Sequence, residues 1–588
     1  MIYSNHKIRN LTAVLMLGVA AAGVIGGHVL AQETLPPEGA TPSTPKSLVI
    51  AQRHMVVAAN PIAADAGREI LRAGGSAVDA AIAVQFVLGL VEPQSSGLGG
   101  GAFLVHWGAA GRALDTYDGR ETAPAAAKSD RFISGGAPMP FKDAVLSGLS
   151  VGVPGIMRMF ELAHKKHGRL PWPRLFEPAI ALAENGFAVP ARLAQLLAAE
   201  HAEDFSPAAR SYFFDDSGKP LAAGAKLKNP QYGATLKLLA DKGAGAFYEG
   251  AIADEIAAAV AESPRPGDIT GADLANYRAE IRAALCFDYR AHKICGMGPP
   301  SSGALTIGAT LKLIEPMDKV HGVAAAMTTP ALHTISEAEK LAFADRNRYV
   351  ADPAFVTVPS GLLDDAYLAE RRKLIDPSSA IEKAQAGFPP GLAKRSQGLD
   401  ATTEIAGTSH LSIVDDAGNA VAMTTTIESA FGSHLWAAGF LLNNQMTDFS
   451  FRPVDLTGDK IVNAVEPGKR PRSSMAPTMV FDATGNLEAV TGSPGGSKII
   501  LFIVKSLVAM FDWDMDPQAA AALPNFGSEG GALQLEGAGA LDVTPALKGL
   551  GHSIVADPLS SGVHTILRRS GHLEGGADPR REGVALGD

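Results

Sequence analysis

The stretch GTSHLSIVDDAGNAVAMTTT, residues 407–426, holds the residue types best suited to covalent chemistry. Apolar residues alternate on either side of Asp416-Ala417-Gly418, so it reads as two strands around a tight turn. Counting back from that turn sets Thr408 opposite Thr426 or Ile427. Threonine favours strands and pairs well across them, so this pairing alone also has a purely structural reading. The chemical reading starts at Gly407. Severing the bond between Gly407 and Thr408 would give Thr408 a free α-amine beside its own hydroxyl. Such an amine can serve as the base that activates the hydroxyl, and its pKa of about 8 suits proton transfer near neutral pH. A glycine before the threonine leaves that bond uncrowded. Residues 376–407 mix charge, Pro and Gly without a sustained period and read as an exposed linker, in which two new ends can separate.

The elements that must position these threonines follow the same patterns. In VAANPIAADAGREILRAGGSAVDAAIAVQFVLGLV, Asn60 caps a helix with Pro61 in its first turn. Gly74-Gly75 ends that helix, and Ser76 with Asp79 forms a capping box for a second one that is apolar nearly all round and therefore buried. The glycine-rich EPQSSGLGGGAFLVHW that follows runs helix–loop–strand. A dinucleotide fingerprint needs strand–loop–helix, so these glycines read as sites of close backbone packing. Residues from about 150 to 285 are mainly helical, and the chain beyond 407 is rich in strands and hairpins. The residues alone thus support a mixed α/β protein with a strand-rich C-terminal third.

Composition limits the function. The chain has 588 residues, 46% hydrophobic and 6% aromatic, and a net charge of −10. It is long enough for several domains. No basic run suggests a nucleic-acid groove, and the acidic balance disfavours one, so small molecules are the expected partners. Lys7 and Arg9 precede an apolar stretch, with Val29 and Ala31 at −3 and −1 of a cleavage point before Gln32. Residues 1–31 therefore read as a secretory signal peptide, with an uncleaved membrane anchor as the alternative, and 32–50 as a flexible leader. Either places the rest in the periplasm or outside the cell. The only cysteines, Cys286 and Cys295 in LCFDYRAHKIC, face each other across a hairpin if Arg290-Ala291 is its loop. Such a non-hydrogen-bonded pair suits a disulfide in an oxidising compartment; two buried thiols are the alternative.

Nine blocks then occur in order: DAGREILRAGGSAVDAAIAV, PQSSGLGGGAF, DGRETAP, PPSSGA, GTSHLSIVDDAGNAVAMTTTI, GFLLNNQMTDFS, KRPRSSMAPT, TGSPGGSKI and ADPRREG. Together they resemble the γ-glutamyltranspeptidases (glutathione hydrolases), N-terminal-nucleophile enzymes made as one precursor that cleaves itself into two subunits. The resemblance spans about residues 50–588. It implies a four-layer αββα sandwich, a large subunit of residues 51–407, a small catalytic subunit of residues 408–588, and no metal or organic cofactor. It implies that Thr408 is the nucleophile and that Thr426 orients it. Arg120, Ser473 and Ser474 would hold the α-carboxylate of a γ-glutamyl group, Asp448 and Gln445 its ammonium, and the N–H groups of Gly495 and Gly496 the oxyanion. Two departures stand out. Glu428 occupies a position where the family commonly has Asn, near the substrate's amino group, where a carboxylate can pair with an ammonium. The segment 448–463, a lid with an aromatic residue in several members, looks short and has no Tyr, which implies a more open pocket. Two other functions remain possible: an acylase of the cephalosporin type, and a non-catalytic periplasmic binding protein on the same fold.

Overall fold

The computed structural model describes residues 39, 41 and 43–588, except 393–396, 403, 406, 538–541 and 557. The expected signal peptide lies outside the described residues, as does most of the expected leader. Two seven-stranded antiparallel sheets form the middle of the molecule. In one, the order is Val584–Gly587, Met55–Ala58, Thr408–Val414, Ala420–Thr426, Gly101–Gly108, Ala113–Asp118 and Glu280–Arg282. In the other, it is Val49–Ala51, His572–Ala577, His564–Arg569, Leu487–Gly492, Thr478–Phe481, His292–Gly296 and Leu285–Tyr289.

Alternation along the strands sorts the side chains into layers. Val57, Val105, Ala422, Met479, Val490 and Ile566 meet in one cluster between the sheets. Val56, Leu104, Leu411 and Met423 point the other way, onto the helices Pro61–Arg72 and Ala77–Val91. Ile294, Val480, Ala489 and Leu567 pack on the helices Gly303–Ile314, Thr329–Tyr349 and Ile499–Phe511. The result is the four-layer αββα sandwich. Both sheets contain strands from either side of residue 407, so a cut there would leave the two pieces sharing both sheets.

The local expectations for the first helices hold. The Asn60 side chain accepts from the Ile62 N–H, and Ser76 and Asp79 form the capping box. Every residue of Ala77–Val91 is buried. Two expectations need correction. The described end of the leader is tied down: the Lys46 ammonium donates to the carbonyls of Asp578 (2.7 Å), Arg581 (2.6 Å) and Gly583 (2.5 Å), and Val49–Ala51 is an edge strand. Its Pro/Thr/Ser content forbids a helix but does not deprive it of partners. The linker 376–407 has no helix or strand among its described residues, yet its end is not exposed. Gly398, Asp400, Ile405 and Gly407 are all buried, because the carboxylates of this segment are counter-ions to interior arginines, described below. Among the described residues no helix is long and apolar enough to cross a membrane.

In the Leu285–Tyr289/His292–Gly296 hairpin, Cys286 lies directly opposite Cys295, and the two are joined as a disulfide with Cα atoms 4.1 Å apart. A loop this short constrains the unfolded chain only modestly. Replacing both cysteines with alanine is expected to lower stability by about 2–3 kcal/mol at most, read as a shift in the denaturant midpoint.

Candidate active site

The hairpin register is one of the two the turn allowed: Thr408 pairs with Thr426, and Thr426 pairs on its other side with Gly101. The glycine run before Gly101 allows this crowding. A Cβ on Gly100 would lie 2.0 Å from the Thr426 carbonyl oxygen, and one on Gly99 2.1 Å from that of Leu441. Gly407 is similarly confined, since a Cβ there would lie 2.0 Å from the carbonyl oxygen of Glu428. Only glycine brings these backbones so close.

Thr426 is the hub. Its hydroxyl donates to the carbonyl oxygen of Gly407 (2.5 Å) and accepts from the Glu428 N–H (2.8 Å) and from the Thr408 hydroxyl (3.4 Å). That is the full capacity of a hydroxyl, one donor and two acceptors. Both threonines are buried. The Arg581 guanidinium donates to the Thr408 carbonyl (3.1 Å) and fixes the strand's first residue from behind.

A small cavity is lined by Thr408, Thr426, Arg120, Glu428, Gln445, Asp448, Ser473, Ser474 and Gly496, with Glu404 and Ile405 from the linker. All the expected site residues except Gly407 and Gly495 line it, and those two adjoin residues that do. Asp448 Oδ2 receives hydrogen bonds from Arg120 (2.5 Å) and Gln445 (2.6 Å). Asp448 Oδ1 and Gln445 Oε1 are buried and accept none among the described residues. Burial raises the Asp448 pKa to about 6, against the lowering influence of Arg120 and with a further rise from Glu404. Arg120 also donates to the carbonyls of Arg472 (2.9 Å) and Pro471 (3.3 Å), which hold it in place.

Glu428 differs from the expectation of a plain carboxylate. It sits at φ 82° in the left-handed region, and its Oε2 accepts from Ser429 (2.5 Å) and Asn444 (2.5 Å). Burial, then the negative charge of Asp448, push its pKa well above the usual range.

Gly495 and Gly496, at φ 140° and 59°, open a 3-10 turn that runs directly into the helix Ile499–Phe511. N–H groups at such a terminus favour an oxyanion. The carbonyl oxygens of Glu404 and Ile405 lie against Gly496, 2.8 and 2.9 Å from where its Cβ would be. The lid segment contains Phe451, stacked on Phe132 with ring centroids 4.5 Å apart. It borders an open, largely apolar cavity together with Phe141, Leu399 and Leu456.

Sequence reasoning passed over Arg346, Arg472 and Glu404. Arg346 hydrogen-bonds Ser474 (2.6 Å) and is paired with Glu404, whose Oε2 accepts from Ser474 (2.5 Å). The signal available was Arg472 directly before Ser473 in RPRSS. Two groups of side chains can gather a metal ion among the described residues, His106/Asp115/His167 and His333/Glu337/His552, and neither includes a residue of this cavity.

Comparison with known proteins finds relatives along nearly the whole chain. The family model described as Gamma-glutamyltranspeptidase matches residues 63–588. The glutathione hydrolase proenzyme of Escherichia coli (strain K12) is 36% identical over 545 residues, covering 90% of this chain and 91% of that protein. That of Bacillus subtilis (strain 168) is 34% identical over 590 residues, covering 98% of each. The crystal structure of a cephalosporin acylase from Bacillus halodurans superposes with a TM-score of 0.79 at 27% identity, covering 94% of this chain and 99% of that one.

Removing Arg120 should expose the cost of the charge it balances. Arg120→Met leaves the Asp448 carboxylate buried without its cation, a loss of about 3–5 kcal/mol. The unpaired carboxyl's pKa rises further, so it takes up a proton as pH falls. The deficit measured by chemical unfolding at pH 8 should therefore shrink at pH 5.

Proposed function

The chain belongs to the gamma-glutamyltranspeptidase family, and on that premise we propose that it is a proenzyme that severs its own Gly407–Thr408 bond and then cleaves γ-glutamyl amides such as glutathione. The observation that carries the reading is the pair of buried acceptors, Asp448 Oδ1 and Gln445 Oε1, that find no donor among the described residues in the cavity that Thr408 lines. Buried acceptors are costly unless satisfied, and a substrate α-ammonium brings both the donors and the opposite charge. Arg120, Ser473 and Ser474 supply a cation and two hydroxyls for the α-carboxylate beside it.

The cut comes first. The Thr408 hydroxyl oxygen attacks the Gly407 carbonyl carbon, which the Thr426 hydrogen bond polarises. The C–N bond breaks as the ester forms, and the nitrogen takes the proton. Water then hydrolyses the ester, leaving a Gly407 carboxylate and a free Thr408 amine. In turnover that amine takes the proton from its own hydroxyl as the oxygen attacks the substrate γ-carbonyl. The N–H groups of Gly495 and Gly496 hold the oxyanion, and the amine passes the proton to the leaving nitrogen. A γ-glutamyl ester on Thr408 results. Water releases glutamate from it, or an amino acid or peptide takes the glutamyl group. The chemistry needs no metal or organic cofactor. Residues 51–407 and 408–588 stay together as a heterodimer because both contribute strands to both sheets. With residues 1–31 read as an export signal, the enzyme works in the periplasm.

An acylase acting on glutaryl amides is the second reading, favoured by the structural likeness to the cephalosporin acylase. A glutaryl donor lacks the ammonium and would leave the two acceptors unpaired, so the γ-glutamyl reading is preferred. Thr408→Ala should yield only the full-length chain on a denaturing gel and no hydrolysis of γ-glutamyl p-nitroanilide; normal cutting and turnover would refute the assignment. The pH dependence gives an independent check. Protonation of the Thr408 amine slows both donor types alike, but protonation of Asp448 weakens only the donor that carries an ammonium. The ratio of kcat/KM for γ-glutamyl over glutaryl anilide should therefore fall as pH drops through about 6 and below; a flat ratio would remove Asp448 from ammonium binding.

A further inference from the structure

Arg346 and Arg472 lie side by side in the interior, their side chains 3% and 0% exposed. Arg346 is held from behind by Ser302 (2.8 Å) and Asn347 (2.7 Å). Arg472 Nη2 lies 3.0 Å from Asp400 and 3.5 Å from Glu404, yet Nε, Nη1 and Nη2 make no hydrogen bond among the described residues. Burial and then the charge of Arg472 lower the Arg346 pKa. Two buried guanidiniums together, one with idle donors, are the makings of an anion site.

The anions now present both come from the segment that ends at the scissile bond. Asp400 is also held by Asn463 (3.0 Å). Glu404 stands three residues before Gly407, so the cut turns it into part of a free chain end. Burial would raise the Glu404 pKa, but Arg346 and Arg472 more than offset this and hold it below the usual carboxylate range. When this end withdraws, the two arginines and the Ser474 hydroxyl lose their carboxylate. The same cavity holds Thr408 and Asp448, the groups that would face a donor's γ-carbonyl and ammonium.

Resting on the γ-glutamyl reading above, we propose that Arg346 and Arg472, with Ser474, form a carboxylate subsite that Glu404 fills in the uncut chain and that the donor's α-carboxylate fills after the cut. Glu404 is then both the plug of the precursor and a rehearsal of the substrate. Arg120, committed to Asp448 and to two backbone carbonyls, shares the recognition.

The test compares three p-nitroanilides on the cut enzyme and its Arg472→Met variant: γ-glutamyl, glutaryl, and 4-aminobutyryl, which keeps the ammonium and lacks the carboxylate. One charge-assisted hydrogen bond corresponds to about tenfold or more. The KM for γ-glutamyl and glutaryl anilides should rise by about that factor in Arg472→Met, with 4-aminobutyryl anilide unchanged and Arg472→Lys partly restored. Equal changes for all three, or none, would overturn the subsite. Failure of the unaltered enzyme to use γ-glutamyl anilide would instead defeat the functional reading itself. Arg472 can also matter for the cut, so binding is read separately in uncut protein. With Thr408→Ala/Glu404→Ala, sodium acetate should raise the melting temperature relative to equal sodium chloride. It should not do so with Thr408→Ala alone, nor once Arg472→Met is added. The same response with Glu404 in place, or without Arg472, would show that these arginines serve only to anchor the linker.

Discussion

The hydroxyl of Thr426 is the contact on which the site depends. It spends its one proton on the Gly407 carbonyl and its two lone pairs on the Glu428 N–H and the Thr408 hydroxyl. One oxygen atom thus fixes both ends of the bond to be broken and the group that would break it. The antiparallel register delivers it, and a slip of one residue would turn the threonines to opposite faces. The register is secured by the buried alternation of both strands, each flanked by a further strand of the same sheet. Precision at the site is therefore a property of the sheet, and glycines at 99, 100 and 407 let the surrounding backbone close on it.

Around that hub the interior carries an unusual load of charge. Arg120, Arg346 and Arg472 face Asp448, Glu404 and Asp400, all nearly or fully buried. Buried ion pairs are poor sources of stability, because desolvation consumes most of the attraction. Their retention here makes sense if the balance is meant to be disturbed. Two of the three carboxylates belong to a segment that scission would release, and a substrate with two charges and a carbonyl would restore the balance. The same interior acts on Glu428: burial, and then the charge of Asp448 beside it, push its carboxyl well above the usual range.

Much of this was legible in the sequence for identifiable reasons. The turn at Asp416–Gly418 narrowed the partner of Thr408 to Thr426 or Ile427 by counting, Asn60 and Ser76 announced their helices, and the glycine run announced close packing. The four-layer stacking and the roles of Arg120 or Asp448 came only from the resemblance, since a lone arginine or aspartate carries no periodic signal. The burial of the linker's end escaped because its composition is that of a solvated loop. Its carboxylates are satisfied by Arg346 and Arg472, which are distant in sequence and meet it only in the folded chain. Glu428 escaped for the same reason: its raised pKa comes from burial and from Asp448, which is brought beside it only in the folded chain, and no local pattern reports that.

All of the chemistry requires that the strand Thr408–Val414 begin with a free amine. The most direct measurement is the N-terminal sequence and intact mass of the smaller polypeptide in the purified protein. The account predicts a chain that starts Thr408-Ser409-His410. A smaller chain with any other first residue, or active protein consisting only of uncut chain, would contradict it.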